Sequence, residues 1–338
     1  MVVGPVQPER EIVTAVDLCK PDGTLNPDAV GWTRRPLHNI NLQGWGRNKR
    51  FEYWCIATPE VIVALNVSHS DYRVTIASFF YDIKTKKAVP EAEIHWLPND
   101  TVAKMTPRTG SDATTTGHGD AMQIEMVPTK EGTLLRGKTK RMSVEILAHE
   151  APGHESLCVV VPWDKKRFQY TRKDNCLPAS GWVDVDGQRY TVSPDSAFAT
   201  LDHGRGRWPY SIVWNWASAS GRCDGHELGL QFGAKWTEGT PSTENCLKID
   251  GKLFKISQEL DWQYDTSDFM KPWRIRGDQV DLTFTPIHDR YSNFDRLIVR
   301  SKEHQCFGYF DGSVIDGNGK RYRVEKVFGW AEEVARRW

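Results

Sequence analysis

Asp202 and His203 open the stretch "DHGRGRWPYSIVWNWASASG", residues 202–221. A carboxyl held in apolar surroundings has a raised pKa and can hand a proton to a substrate, and a neighbouring imidazole can orient it or relay that proton. Asp202 is therefore the candidate acid and His203 its helper. The same residues also fit a turn carboxylate with satisfied hydrogen bonds and a surface histidine in a Gly- and Arg-rich loop. Trp208, Tyr210, Trp214, Asn215 and Trp216 follow, then a run of tiny residues from Ala217 to Gly221. On a strand, Trp214 and Trp216 share one face and Asn215 takes the other. Indole faces line an apolar space and stabilise a developing carbocation by about 0.5–2 kcal/mol each; they also fill cores. A buried amide without partners costs about 1–3 kcal/mol, so Asn215 either knits two strands together or faces a ligand. Arg205 and Arg207 suit a carboxylate or phosphate on a ligand, or are solvated loop charges. Glu244 and Asn245, just ahead of a strand, line the same mouth or serve as turn residues.

Other chemistries lack a signal. No Gly-rich dinucleotide fingerprint, P-loop or nucleophile elbow is present. "HEAPGH" at 149–154 holds two histidines and a glutamate, but its Pro and Gly break the helical spacing of a zinc protease, so no metal and no cofactor are expected. The 44 basic and 44 acidic residues balance, which argues against nucleic acid as a partner. No run approaches the roughly 18 apolar residues that span a bilayer, and the N-terminus does not read as a signal peptide. Seven cysteines never form a C-x-x-C pair, which fits reduced thiols and a cytoplasmic location. Tryptophan is the compositional outlier, at 14 of 338 residues.

The elements that would position these residues are mostly strands. Asp-Gly and Gly-Asp turns between apolar runs signal hairpins, at Asp186-Gly187, Asp250-Gly251, Gly277-Asp278, Asp311-Gly312 and 316–319. "EVIVALNVS", "YRVTIASFFYD", "QIEMVP" and "MSVEILAH" read as strands. Helical patterning is confined to "DSAFATLD" (195–202) and the C-terminal "AEEVARRW", while 98–120 and 149–180 read as loops. An internal echo pairs "SGWVDVDGQRYTV" with "DGSVIDGNGKRYRV", and a weaker one pairs residues 44–56 with 204–216. These echoes suggest two similar lobes, 1–185 and 186–338, with the boundary falling somewhere in 175–205; short hairpins sharing turn chemistry are the alternative.

Several longer stretches carry a family resemblance. "GWTRRPLHNINLQGWGRNKRFEYWCI", "DHGRGRWPYSIVWNWASASG", "GLQFGAKWTEGTPSTENCLKIDGKLFKI", "PWRIRGDQVDLTFTP", "FGYFDGSV" and "GWAEEVARRW" resemble the bacterial family catalogued as domain of unknown function 2804. More distantly, "DGQRYTVSPDSAFATLDHGRGRW" is similar to a segment of the lipocalin-like superfamily of carotenoid 1,2-hydratases, tocopherol cyclases and natural-product cyclases, through Asp202, His203, Gly206 and Trp208. The resemblance implies an all-β, two-lobed lipocalin-like (calycin-type) antiparallel barrel or sandwich with few short helices. The aromatic stretch itself adds the expectation of a ligand site near the lobe junction, floored by Trp208, Trp214, Asn215 and Trp216. The expected function is a cofactor-independent enzyme that protonates, hydrates or cyclises a small apolar or amphipathic molecule such as an isoprenoid, lipid or polyketide. A non-catalytic lipid carrier and a carbohydrate-handling protein stay open as alternatives, and the oligomeric state is left undetermined.

Overall fold

The computed structural model describes residues 8–98, 101–106, 114–296 and 299–337. Among them, strands dominate, and the single helical element named is one 3-10 turn at Pro27–Ala29. Two large antiparallel sheets carry the fold. The first runs, edge to edge, through Ala88–Trp96, Arg73–Asp82, Val61–His69, Asn48–Ala57, Phe198–Arg207 and Phe168–Val185, then Met142–His149 back to Ala103–Lys104. The second is centred on Ser211–Cys223, Arg321–Arg337 and Val299–Ile315. The chain passes from one sheet to the other between Arg207 and Ser211.

Each sheet curls around its own apolar filling. Alternate residues of each strand point inward, as the two-residue period of a strand requires. In the first lobe these are Trp54, Ile56, Val63, Leu65, Ile76, Ile146, Ala199 and Leu201, among others; in the second, Ala217, Ala219, Leu230, Phe284, Phe310 and Ala331. The long strand Phe168–Val185 serves both halves of the first sheet. Its first half pairs with Leu157–Pro162 and its second with Met142–His149, with a bulge between Asp174 and Leu177. A bulge re-aims a strand without ending it, and here Cys176 takes a positive φ of 55°.

The outward faces of the two sheets meet. Cys55, Ile62, Ala64, Phe79 and Tyr81 of the first lobe pack against Trp216, Phe307 and Trp330 of the second. The hairpin of Val280–Arg296 with Val299–Ile315 lies along this face, where His288 stacks on Tyr81 at 3.9 Å between ring centroids.

Several local expectations need correction. Residues 195–202 make one turn, with the Ala197 amide bonded to the Ser193 carbonyl, and then enter a strand at Phe198. Ala199 and Leu201 feed the core at period two, which overrides helix propensity. The C-terminal "AEEVARR" is likewise a central strand, paired on both sides. Of the stretch expected as a loop at 149–180, Leu157–Pro162 and the start of Phe168–Val185 are buried strands. In 98–120, Ala103–Lys104 and Thr115–His118 are strands, and residues 99–100 and 107–113 lie outside the described residues. Asp311-Gly312 is a bulge inside a continuous strand, not a turn. The Asp186-Gly187 and Asp250-Gly251 turns form with both residues at positive φ, and an unanticipated third forms at Asp224-Gly225.

Candidate functional site

Between the outward faces of the sheets lies a cavity of about 580 Å³, within the usual range for small-molecule sites. One wall is aromatic: Phe51, Tyr53, Trp208, Trp214, Trp216 and Trp236. Another wall is made of small residues on the outer face of the first sheet, including Ser68, Thr75, Ala77 and Ala92. Trp208 stands edge-on to Trp214 and is stacked with Trp236, with centroids 5.5 and 6.3 Å apart. The glycines of "DHGRGRW" make this packing possible. A Cβ on Gly204 would lie 2.1 Å from both Phe51 Cε1 and Gln169 Nε2, and only a residue without a side chain lets those two groups reach the cavity.

Inside this wall sits a group of carboxyls around one lysine. Lys173 Nζ lies 2.7 Å from Asp202 Oδ2 and 3.1 Å from Glu244 Oε1, and 4.1 Å above the Trp216 ring. Burial disfavours the ammonium, but Asp202 and Glu244 outweigh it and hold the Lys173 pKa above its ordinary value. One ammonium cannot neutralise two buried carboxylates. Asp202 forms the shorter ion pair, while burial and the nearby Asp202 charge push Glu244 up to about 7 against the pull of Lys173. On the strand paired with that of Trp216, burial and the Glu303 charge push Glu332 up to about 8. Trp214 Nε1 donates to Glu332 Oε1 at 2.9 Å and Gln305 Nε2 donates to Oε2 at 3.0 Å. Gln305 is oriented in turn because its Oε1 accepts from Arg290, a pure donor, at 3.1 Å. Tyr53 OH, kept protonated by burial, donates to the same oxygen at 3.4 Å. The arrangement therefore combines an ion-paired carboxylate with two carboxyls poised to carry protons near neutral pH.

Of the residues singled out in the sequence, Asp202, Trp208, Trp214, Trp216 and Glu244 line this cavity. The others do not. His203 points the opposite way along the strand, into the first lobe, with Nδ1 3.8 Å from Glu52 Oε2. Burial, together with the Arg205 charge, lowers its pKa to about 4, so it is a neutral buried imidazole and not a surface histidine. Arg205 is also buried on that side and donates to the Phe51 and Gly204 carbonyls, both at 2.9 Å. Arg207 ties Asn48 and the Gly23 carbonyl, and Tyr210 is exposed. Asn215 faces the second lobe, where Nδ2 donates to Tyr264 OH and to the Glu332 carbonyl, both at 3.0 Å; it knits strands and does not floor the cavity. Asn245 does the same work, accepting from the Gly233 amide and donating to the Gln258 carbonyl. The histidines of "HEAPGH" are used in hydrogen bonds to Ser180 and Asp174.

Lys173, Glu332, Gln305, Tyr53 and Arg290 were not legible as site residues. Lys173 fell in a stretch read as loop, and Glu332 in one read as helix. The available signal was the alternation Trp330, Glu332, Val334, Arg336, which sets a carboxyl between apolar side chains on one strand face.

Among the described residues no helix is long and apolar enough to cross a membrane, and no cluster of metal-ligating side chains occurs. All seven cysteines are buried and free. Solved structures share the architecture. A putative AttH from Nitrosomonas europaea superposes with a TM-score of 0.50 at 13% identity, covering 85% of this chain and 92% of that one. CghA gives 0.52 at 9% identity, covering 86% and 88%. Kievitone hydratase from Nectria haematococca gives 0.47 at 9%, covering 87% and 89%. The likenesses to the putative AttH and to CghA show the all-β, two-lobed, lipocalin-like fold. No curated protein matches the chain. The family described as "Domain of unknown function (DUF2804)" matches residues 9–338, and the chain belongs to it.

Proposed function

We propose that the protein is an enzyme that protonates an unsaturated small molecule in the inter-lobe cavity, leading to hydration or cyclisation. The observation that carries this reading is the pairing of a carboxyl raised to about 8, Glu332, with an ion-paired carboxylate, Asp202, in one tryptophan-walled space. Glu332 transfers its proton to an alkene carbon, and the π electrons form the new C–H bond. The cation left on the neighbouring carbon faces Trp214, whose ring stabilises it. In hydration, water adds to that carbon and loses its proton to Asp202. In cyclisation, a second double bond of the substrate attacks and the proton then lost goes to Asp202. Protons return to Glu332 through solvent, so the cycle needs neither a redox cofactor nor a metal. Lys173 ion-pairs with Asp202 at 2.7 Å, and Glu244 is a second proton reservoir. Asp202 thus acts as base, with the donor role moved to Glu332.

The test is to purify the full chain under native conditions, extract it with organic solvent and identify the extract by mass spectrometry, with wild type beside Glu332→Gln. A compound converted by wild type and retained unchanged by the variant supports the enzyme. The same compound bound unchanged by both makes the protein a carrier and overturns the catalytic reading.

A further inference from the structure

We propose that the molecule held in this cavity carries a carboxylate, and that Arg290 is the group that grips it. The proposal rests on the reading of the cavity as a small-molecule site and specifies the substrate class. Arg290 lines the cavity from the long hairpin, directly opposite Gln305 in the strand register. Its guanidinium lies 4.5 Å over the Phe79 ring, and among the described residues its side-chain hydrogen bond is to the neutral amide oxygen of Gln305. Five N–H donors therefore face a single protein acceptor.

The acids nearby are committed elsewhere. Asp289 Oδ2 is 2.8 Å from His304 Nδ1, and Glu303 pairs with Arg336 at 3.2 Å. Glu332 accepts from Trp214 and Gln305. Among the described residues no carboxylate comes within 4.0 Å of Arg290, whereas the cavity's Lys173 and Arg336 each have an acid partner. A guanidinium over an aromatic ring keeps edge donors for the fork that matches a carboxylate. One amide separates Arg290 from Glu332. A carboxylate docked on Arg290 therefore sets the adjoining carbons of its ligand beside the proposed acid. The substrate class is an apolar, unsaturated molecule bearing a carboxylate, with its reacting double bond near the charged end.

All-trans retinoic acid and all-trans retinol test this, because they share one unsaturated apolar body and differ in the charged group. Binding to the full chain is measured by quenching of tryptophan fluorescence and by calorimetry, for wild type, Arg290→Gln and Arg290→Lys. Wild type is expected to prefer the acid by about tenfold or more. Arg290→Gln should bring the two affinities within about threefold by weakening the acid alone, and Arg290→Lys should restore part of the preference. Equal affinities in wild type, or an unchanged acid-to-alcohol ratio in Arg290→Gln, overturn the proposal. Should Arg290→Gln fail to fold, Arg290→Lys decides, since an undiminished ratio with a single-point ammonium contradicts fork recognition. If wild type binds neither retinoid, the small-molecule reading of the cavity itself fails and this proposal falls with it; binding of both without preference defeats the carboxylate alone.

Discussion

Replacing Glu332 by Gln should make the protein more stable while abolishing its chemistry, and the stability change should depend on pH in a defined way. In the unfolded chain a glutamate titrates near its ordinary 4.5, whereas in the folded protein Glu332 titrates at about 8. Between those values the native state holds a proton that the unfolded state has released. Stability therefore falls as pH rises, by about 1.4 kcal/mol per pH unit for this one group. At pH 7 the accumulated cost is roughly 3 kcal/mol, and it levels off above pH 8 at roughly 5 kcal/mol. Glutamine removes that cost. It also turns an amide toward either Trp214 or Gln305, both of which donate to Glu332, so one hydrogen bond is lost at about 1–2 kcal/mol. The expected net gain at pH 7 is on the order of 1–2 kcal/mol, and near pH 5 the variant should be no more stable than wild type. Urea denaturation of both proteins at pH 5, 6, 7, 8 and 9 measures this. A difference between them that stays flat from pH 5 to 8 would show that Glu332 is ionised throughout, and the proposed acid would be lost.

Lys173→Met leaves Asp202 and Glu244 buried without their cation and should cost about 3–5 kcal/mol; urea midpoints beside wild type read it, and an unchanged midpoint argues against a buried ion pair. Asp174 is buried against Arg172 and His154, with Lys248 close by; the Arg172 charge, with the His154 hydrogen bond and Lys248, outweighs burial and holds its pKa far below the ordinary carboxylate range. Its stabilising contribution is thus present above about pH 4 and lost as pH falls through the folded value, so Asp174→Asn should lower stability at pH 7 and flatten the loss below pH 4. Equal acid-denaturation profiles for the two proteins would contradict that. Gly233→Ala sets a Cβ 2.4 Å from Glu244 Oε2 and 3.2 Å from Trp236 Nε1. Displacing those side chains should cost about 1–3 kcal/mol and weaken retinol binding, and a neutral outcome in both measurements would show that this wall is pliable.

The outline of the fold was legible because strand alternation and Asp-Gly turns are local. Met142–His149 announces itself by period-two apolar residues, Val61–His69 and Arg73–Asp82 by apolar runs of strand length, and the 186–187 and 250–251 turns by their residue pairs. The long central strands were not legible for the opposite reason. Phe168–Val185 and Arg321–Arg337 contain Lys, Arg, Glu and Asp at positions that the second lobe or the cavity partners, so their polar residues mimic loop and helix patterns. The aromatic half of the site was visible in Trp208, Trp214 and Trp216, since one short stretch supplies it. Its acid–base half comes from four strands far apart in sequence, carrying Lys173, Asp202, Gln305 and Glu332, and no local pattern joins them. The adjacent pairs Asp202-His203 and Glu244-Asn245 misled in a consistent way. Neighbours on a strand face opposite sides, so at most one of each pair could line a shared cavity.

That alternation also explains why the site lies between the lobes and not inside either curled sheet. The inward faces are filled by Ile, Val, Leu and Phe, and those apolar cores hold the sheets. The outward faces of the same strands are then free to carry Tyr53, Lys173, Asp202, Gln305 and Glu332, provided a second sheet covers them and excludes water. Burial of these groups opposes folding, because each carboxyl that keeps its proton at neutral pH does so at a cost in stability. The proposed acid therefore depends on the buried contact of Trp216, Phe307 and Trp330 where the two sheets meet. Loosening that contact without touching the cavity, as by Phe307→Ala, should let water in and return the Glu332 pKa toward its ordinary value. The pH dependence of the stability difference between Glu332 and its Gln variant should then shrink in the Phe307→Ala background. If it keeps its full slope, the desolvation comes from the walls of the cavity itself and not from the closure of one lobe on the other.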